Sequence, residues 1–351
     1  MPLTFATLSD ILAHGADTVI DVRSPAEFAQ DHIPGAINLP ALSNAERAEV
    51  GTIYKQISPF KARKVGAALV ARNVAAHLQG PLADKQGGWQ PLVYCWRGGQ
   101  RSGSFASILQ QIGWRADTIT GGYQSYRRLV AGMLHDTPLP HGKLILLDGN
   151  TGTGKTALLA KLRDRGVQTL DLEGMANHRG SLLGARDAAQ PAQKAFESRI
   201  AAALTGCNPD KPVVLEAESS KIGRLSLPPS LWTAMCAAPR IMVTASLQTR
   251  AAYLAETYRE ITADLHEARA RLAPLRRLRG HEAVDRWEQQ LETGQHQAFA
   301  ASLMSDHYDP SYAKSRAAHD IQLLGTVTAQ SLDPTGLAQV TDQLVKLITP
   351  A

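Results

Sequence analysis

Cys95 stands in the segment Tyr94-Cys95-Trp96-Arg97-Gly98-Gly99-Gln100-Arg101-Ser102, and the residues around it suit a nucleophile. The apolar stretch Pro91–Tyr94 precedes it and a helix-like segment runs from Ser104 to Ile112, which places the thiol at a strand-to-helix turn. Two arginines and the positive end of the following helix favour thiolate over thiol, and Gly98 and Gly99 let backbone N–H groups converge on a bound oxyanion. Most buried cysteines merely pack; the glycine pair with Arg97 and Arg101 argues against that use here. A second anion cradle follows at Gly149-Asn150-Thr151-Gly152-Thr153-Gly154-Lys155-Thr156. This is Gly-x4-Gly-Lys-Thr, in which the turn built on Gly149, Gly152 and Gly154 aims N–H groups at a diphosphate. Lys155 neutralises it and Thr156 is placed to hold magnesium.

The elements that must position these residues follow from pattern. Thr18–Arg23 reads as a short buried strand, and Ser24-Pro25 with Glu27 opens a helix by capping. His32–Pro40 turns at Pro34-Gly35 into another short strand, and Lys61–Leu78 is helical with Val65, Leu69, Val74 and Leu78 on one side. Asp21, Arg23 and His32 read as structural, holding loops near Cys95. Asn44, Glu46, Arg47, Gly51 and Tyr54 form a polar patch that either lines a groove or caps elements. The proline-bearing connector His135–Gly142 marks a domain boundary, expected at 137/138. Strand-like segments then recur at Lys143–Asp148, Val167–Glu173, Pro212–Glu218 and Arg240–Thr244, before a long helical region from Gln248 to Arg271. Alternation of helices with parallel-type strands implies an α/β sheet in each part.

The third of these strands ends in carboxylates, of which Glu216 is either a candidate magnesium ligand or a plain strand-terminal carboxylate. Asn177–Ser181 and Ser219–Arg224 follow strands on the side where open α/β sheets bind ligands, so His178, Lys221 and Arg224 either serve a site or are a structural loop histidine and solvated cations. Arg127 and Arg128, beside Tyr123 and Tyr126, and the run Arg276-Arg277-Leu278-Arg279 are candidate contacts to an RNA backbone, the tyrosines either stacking on bases or packing together. The residues beyond, including His296, His307 and Tyr312, show no metal-ligand spacing and read as packing.

With 351 residues and 44% hydrophobic content, the chain can bury two cores. Its net charge of +5 permits a polyanionic partner. Three cysteines without paired spacing exclude a disulfide framework or zinc knuckle and point to a reducing compartment. A cytoplasmic protein with no membrane segment is expected.

Asp21-Val22-Arg23, Glu27-Phe28, His32-Ile33-Pro34-Gly35-Ala36-Ile37-Asn38 and the Cys95 loop resemble the rhodanese domain, over roughly residues 3 to 135. The resemblance implies a chalcogen carried on the cysteine. Arg101 stands six positions after Cys95, one further than in common sulfurtransferase loops. This Cys-x5-Arg length also resembles cysteine phosphatases and suits a phosphate-bearing donor. The expected architecture is an N-terminal rhodanese-like domain, residues 1–137, and a C-terminal P-loop NTPase-like parallel-sheet domain, residues 138–351, with a helical, basic end. Together with Leu170–Gly174 and Asn177–Ser181, the two cradles resemble the tRNA 2-selenouridine synthase family. That resemblance implies a transferase acting on 2-thiouridine at the tRNA wobble position U34; no tightly bound cofactor is expected, and magnesium enters only as a candidate ion at Thr156 and Glu216. Geranyl diphosphate first geranylates the sulfur; selenophosphate, from its supplying enzyme, then delivers selenium through a Cys95 selenium adduct. Arg97, Gly98, Gly99 and Arg101 would bind the selenophosphate. Two other classes stay open: a Cys-x5-Arg phosphatase fused to a kinase-like domain, and a non-enzymatic NTP-gated tRNA-binding module.

Overall fold

The protein is described by a computed structural model covering residues 2–349 apart from 137, 140–142, 181–187, 260, 261, 263 and 318–321. Thr137 at the expected boundary, the connector's His141 and Gly142, and Ser181 lie outside the described residues. Two compact units form, each with its own sheet.

In the first unit, β1 (Pro2–Leu3), β2 (Thr18–Asp21), β3 (Ile37–Asn38), β4 (Pro91–Tyr94) and β5 (Asp117–Ile119) make one sheet in the order β1-β5-β4-β2-β3. All neighbours are parallel. Central parallel strands are covered on both faces, which is why β4 is a continuous apolar run, buried at every position. The register sets Asp21 beside Tyr94. Val22-Arg23 and Cys95 therefore leave the sheet together at its carboxyl edge, where open α/β sheets bind ligands. The Pro59–Gln79 helix packs Val70 and Val74 into a core with Ile20, Val93, Phe105 and Leu109.

The helix Gln193–Thr205 returns to this unit, burying Phe196, Ile200 and Leu204. Met1–Thr137 thus folds with Pro191–Gly206, whereas a division at 137/138 assigns this helix to the second domain. The cause is long-range: the Ser198 hydroxyl donates to Asp31 at 2.9 Å, and Glu197 pairs with Arg127.

The second unit has β6 (Leu144–Asp148), β7 (Gln168–Leu170), β8 (Val213–Glu216), β11 (Arg240–Ala245) and β12 (Leu323–Ala329) in the parallel order β7-β8-β6-β11-β12. A small antiparallel pair, β9 (Lys221–Ile222) and β10 (Leu225–Ser226), lies apart from it. β12 completes the sheet within a region that the sequence pattern assigned to packing. The Lys155–Asp164 helix and the terminal Pro334–Ile348 helix share a core through Leu158, Leu162, Val340 and Leu344. Helices between Leu247 and Ala317 form a separate cluster around Leu272, Trp287 and Met304. Among the described residues no helix is long and apolar enough to cross a membrane.

Candidate functional site

Cys95 is 3% exposed and follows β4 directly. Its Sγ accepts from the Gly99 amide at 3.3 Å and from the Ser102 hydroxyl at 3.2 Å. Burial by itself pushes the thiol up; the bonds from Ser102 and Gly99 and the charge of Arg101 outweigh it, and the pKa is held below the ordinary cysteine value. The loop closes by backbone contact: Tyr123 N donates to Cys95 O at 2.8 Å and Gln124 N to Trp96 O at 3.0 Å. Gly98 and Gly122 have φ of +65° and +55°, and a Cβ on Gly122 would lie 2.3 Å from Cys95 O. Only glycine fits that approach.

Around the loop, Arg101 donates to Glu27 at 3.0 Å and Arg47 pairs with the same carboxylate at 2.9 Å. Burial raises the Glu27 carboxyl, but the two arginines prevail and its pKa is lowered. Glu27 also accepts from the Ser24 amide, so one side chain starts a helix and fixes Arg101. Trp96, Arg47, Arg101 and Asn44 line a cavity of about 560 Å3. The Asn44–Arg47 patch thus contributes to a groove. Arg97 is exposed on the loop. Arg23 is 1% exposed, binds Asp21 and the Asp31 carbonyl at 2.6 Å, and lies 3.9 Å from the Tyr123 ring centroid. It braces the loop from below.

In the second unit the turn from Gly149 to Gly154 leads into the Lys155 helix. Asp148 accepts from the Gly149 amide at 2.7 Å and from Arg240 and Arg316 at 2.9 Å, and Arg316 reaches Asn150 at 2.7 Å. Lys155 Nζ donates to Gly149 O at 2.9 Å. Its burial disfavours the ammonium, yet Tyr312 and the carboxylates of Glu216, Glu218 and Glu173 raise its pKa. Oxygens of Glu173, Glu216 and Glu218 all lie within 4.8 Å of one another, and Thr156 Oγ1 donates to Glu173 at 3.3 Å. Burial, followed by mutual repulsion for Glu173, raises these carboxyls. Oε1 of the 3%-exposed Glu216 has no hydrogen-bond partner. Three converging carboxylates, one with an orphaned oxygen, fit a hard divalent cation such as magnesium.

Glu173 was read from sequence as the end of a strand. Instead Asp171 accepts from Gly174 N at 2.7 Å, caps a new helix (Leu172–Ala176), and turns Glu173 into the cluster. Lys155, Thr156 and the glutamates line a cavity of about 690 Å3 together with apolar and aromatic residues that include Trp232, Met235, Tyr253, Leu254, Tyr258 and Tyr308. Tyr312 and Arg316 also line it, so the segment read as packing supplies the site. The loop residues Arg179, Gly180, Ser219 and Ser220 line it as well. Of the candidates placed near a site, Lys221 lies in the β9/β10 pair, Arg224 binds Gln190 O, and His178 Nδ1 accepts from Gly180 N at 3.1 Å.

Two family models match in tandem: the rhodanese-like domain over residues 4–129 and the tRNA 2-selenouridine synthase AAA domain over residues 142–278. The tRNA 2-selenouridine synthase of Hahella chejuensis is 33% identical, over 84% of this chain and 84% of its own. That of Nitrosomonas europaea is 38% identical over 69% of this chain and 64% of its own, and that of Psychromonas ingrahamii 31% over 88% and 91%. The chain belongs to the tRNA 2-selenouridine synthase family. As a member of that family of enzymes it joins a rhodanese-like α/β domain to a parallel-sheet P-loop domain.

The basic residues expected to meet RNA have divergent settings in this family member. Arg127 is tied to Glu197, Arg276 to Asp285 and Glu288, and Arg279 to His307 and Ser311. Arg128 and Arg277 are exposed. Tyr123 and Tyr126 are 2% and 0% exposed with ring centroids 6.1 Å apart, which makes them a packed pair rather than a stacking platform. Sequence reasoning singled out Glu216, Lys155, Thr156 and Cys95 but passed over Glu173, Glu218, Asp148, Tyr312 and Arg316. The available signals were the places of Glu173 and Glu218 at the ends of the expected strands and, for Glu173, its place in the Leu170–Gly174 segment.

Proposed function

We propose that this enzyme converts 2-thiouridine at the wobble position of tRNA to 2-selenouridine in two steps, one at each cradle. The observation that carries the reading is the cavity of the second unit. It joins a diphosphate-binding turn and a carboxylate cluster with apolar and aromatic residues, as a prenyl diphosphate with a charged head and a hydrocarbon tail would need.

In the first step the turn amides and Lys155 hold the diphosphate of geranyl diphosphate and stabilise negative charge as it leaves. The thiouridine sulfur attacks the allylic carbon: a C–S bond forms, the C–O bond breaks, diphosphate departs and the base loses its N3 proton. A divalent cation held by Glu173, Glu216 and Glu218 with Thr156 supplies further charge neutralisation when bound. Trp232, Met235 and Leu254 shelter the tail from water. In the second step Arg97, Arg101 and the amides of Gly98 and Gly99 bind selenophosphate, and Cys95 forms a covalent adduct with it, a selenium-bearing one being what the rhodanese resemblance implies. Selenium then replaces the geranylated sulfur at C2.

Nucleoside mass spectrometry of tRNA incubated with variants tests this. Lys155→Ala should abolish geranylation while still selenating pre-geranylated tRNA; loss of selenation alone would sink the assignment of the P-loop. Cys95→Ala should accumulate geranylated tRNA and stop there, and full selenation by that variant would rule out a covalent role for the thiol. Hydrolysis of phosphate esters without any change to tRNA would instead favour the phosphatase class.

A further inference from the structure

The reading of Cys95 and selenophosphate given above leaves open which atom the thiolate attacks, and electron balance with the loop geometry answers it. Selenium in selenophosphate is at the selenide level and phosphorus is pentavalent. Attack on selenium would leave the P–Se electron pair on phosphorus, so a selenium adduct on Cys95 requires expulsion of trivalent phosphite or an added oxidant. Attack on phosphorus requires neither. It frees selenium at the oxidation level that the base receives.

The geometry favours phosphorus. Sγ lies inside the loop, where it accepts from Gly99 N at 3.3 Å and Ser102 Oγ at 3.2 Å. A thirteen-residue helix, Gln100–Ile112, starts at the loop with Arg101 in its first turn, and Arg97 is exposed beside it. The anion-binding groups at the sulfur are therefore the amide and hydroxyl that already bond Sγ, the helix N-terminus, and Arg101, which also holds Glu27. An oxyanion held by them centres on the atom next to Sγ. That atom is phosphorus, while the larger and more weakly accepting selenium points away from the donors.

We propose that Cys95 takes the phosphoryl group rather than the selenium. The Sγ thiolate attacks phosphorus of monoprotonated selenophosphate, an S–P bond forms, the P–Se bond breaks, and the electron pair leaves on selenium, which takes the donor's own proton and departs as the hydrogen selenide anion, HSe−. Hydrogen selenide attacks C2 of the geranylated base; a C–Se bond forms, the C–S bond breaks, and geranyl thiolate leaves and takes a proton from water while the selenol proton settles on N3. Water then attacks phosphorus, breaking the S–P bond to release inorganic phosphate and restore the thiolate, which the Ser102 and Gly99 donors stabilise as a leaving group. Phosphorus stays pentavalent and selenium stays reduced throughout.

The test is rapid quenching of the full-length protein with selenophosphate carrying a radioactive label on phosphorus or, separately, on selenium. Phosphorus label on the Cys95 peptide, its loss in Cys95→Ser, and inorganic phosphate by phosphorus NMR are expected. Locating the label by peptide mass spectrometry in the wild type keeps the test sound even if the variant folds poorly. Selenium label on Cys95, or phosphite as the phosphorus product, overturns this inference and leaves the two-step reading standing. Selenophosphate left intact in the presence of geranylated tRNA, with neither label on the protein, overturns both.

Discussion

Ser102→Ala removes one donor to the Cys95 thiolate and little else. Ser102 is 0% exposed, so water does not replace its hydroxyl, and among the described residues that hydroxyl otherwise bonds Gly99 O at 3.3 Å. Burial is the largest influence on Cys95 and raises its pKa; the opposing hydrogen bonds and Arg101 bring it below the ordinary value. A hydrogen bond to a charged group is worth roughly 1.5–3 kcal/mol, or about one to two pKa units at 1.36 kcal/mol per unit. Removal of the Ser102 bond should therefore move the thiol up by about that much, and the thiolate fraction near neutrality should fall. The assay is the pH dependence of Cys95 alkylation, followed on its own peptide so that Cys207 and Cys236 do not contribute. The midpoint must shift to higher pH while circular dichroism stays native. An unchanged or lowered midpoint in a folded variant would refute the claim that Ser102 sustains the thiolate.

Gly122→Ala places a methyl 2.3 Å from Cys95 O at a φ of +55°; strain of about 1–3 kcal/mol should lower the melting temperature and slow Cys95 alkylation together. Burial followed by repulsion from Glu216 and Glu218 raises the Glu173 carboxyl, so the folded chain holds that proton more tightly than the unfolded one and loses stability as pH climbs above the unfolded value of about 4.3. Glu173→Gln should accordingly melt above wild type at about pH 8 without divalent cations, with the gap closing towards about pH 5; equal melting at both would contradict the shift.

The strand before Cys95, the strand-turn-helix at Lys155 and the cap at Ser24 were legible because each is encoded by neighbours a few residues apart: apolar runs, glycines and a capping side chain. So were the two motif cradles, whose chemistry depends on backbone amides that local spacing sets. The carboxylate cluster was not. Glu173 comes from a helix that Asp171 starts, Glu216 from the end of β8 and Glu218 just beyond it, and only the parallel pairing of β6, β7 and β8 brings them to Lys155. Nor does any spacing show that Arg316 will reach Asp148 across 168 positions, or that the Gln193–Thr205 helix will bury itself in the first unit. The same holds for charge: the sequence supplies the arginines at 127, 276 and 279, but tertiary contacts give each a local partner. The sequence by itself determined which anion-binding turns exist and in what order, since these are short-range properties of the backbone. Tertiary structure alone decided which side chains complete them, because burial and the convergence of charges depend on segments far apart in the chain.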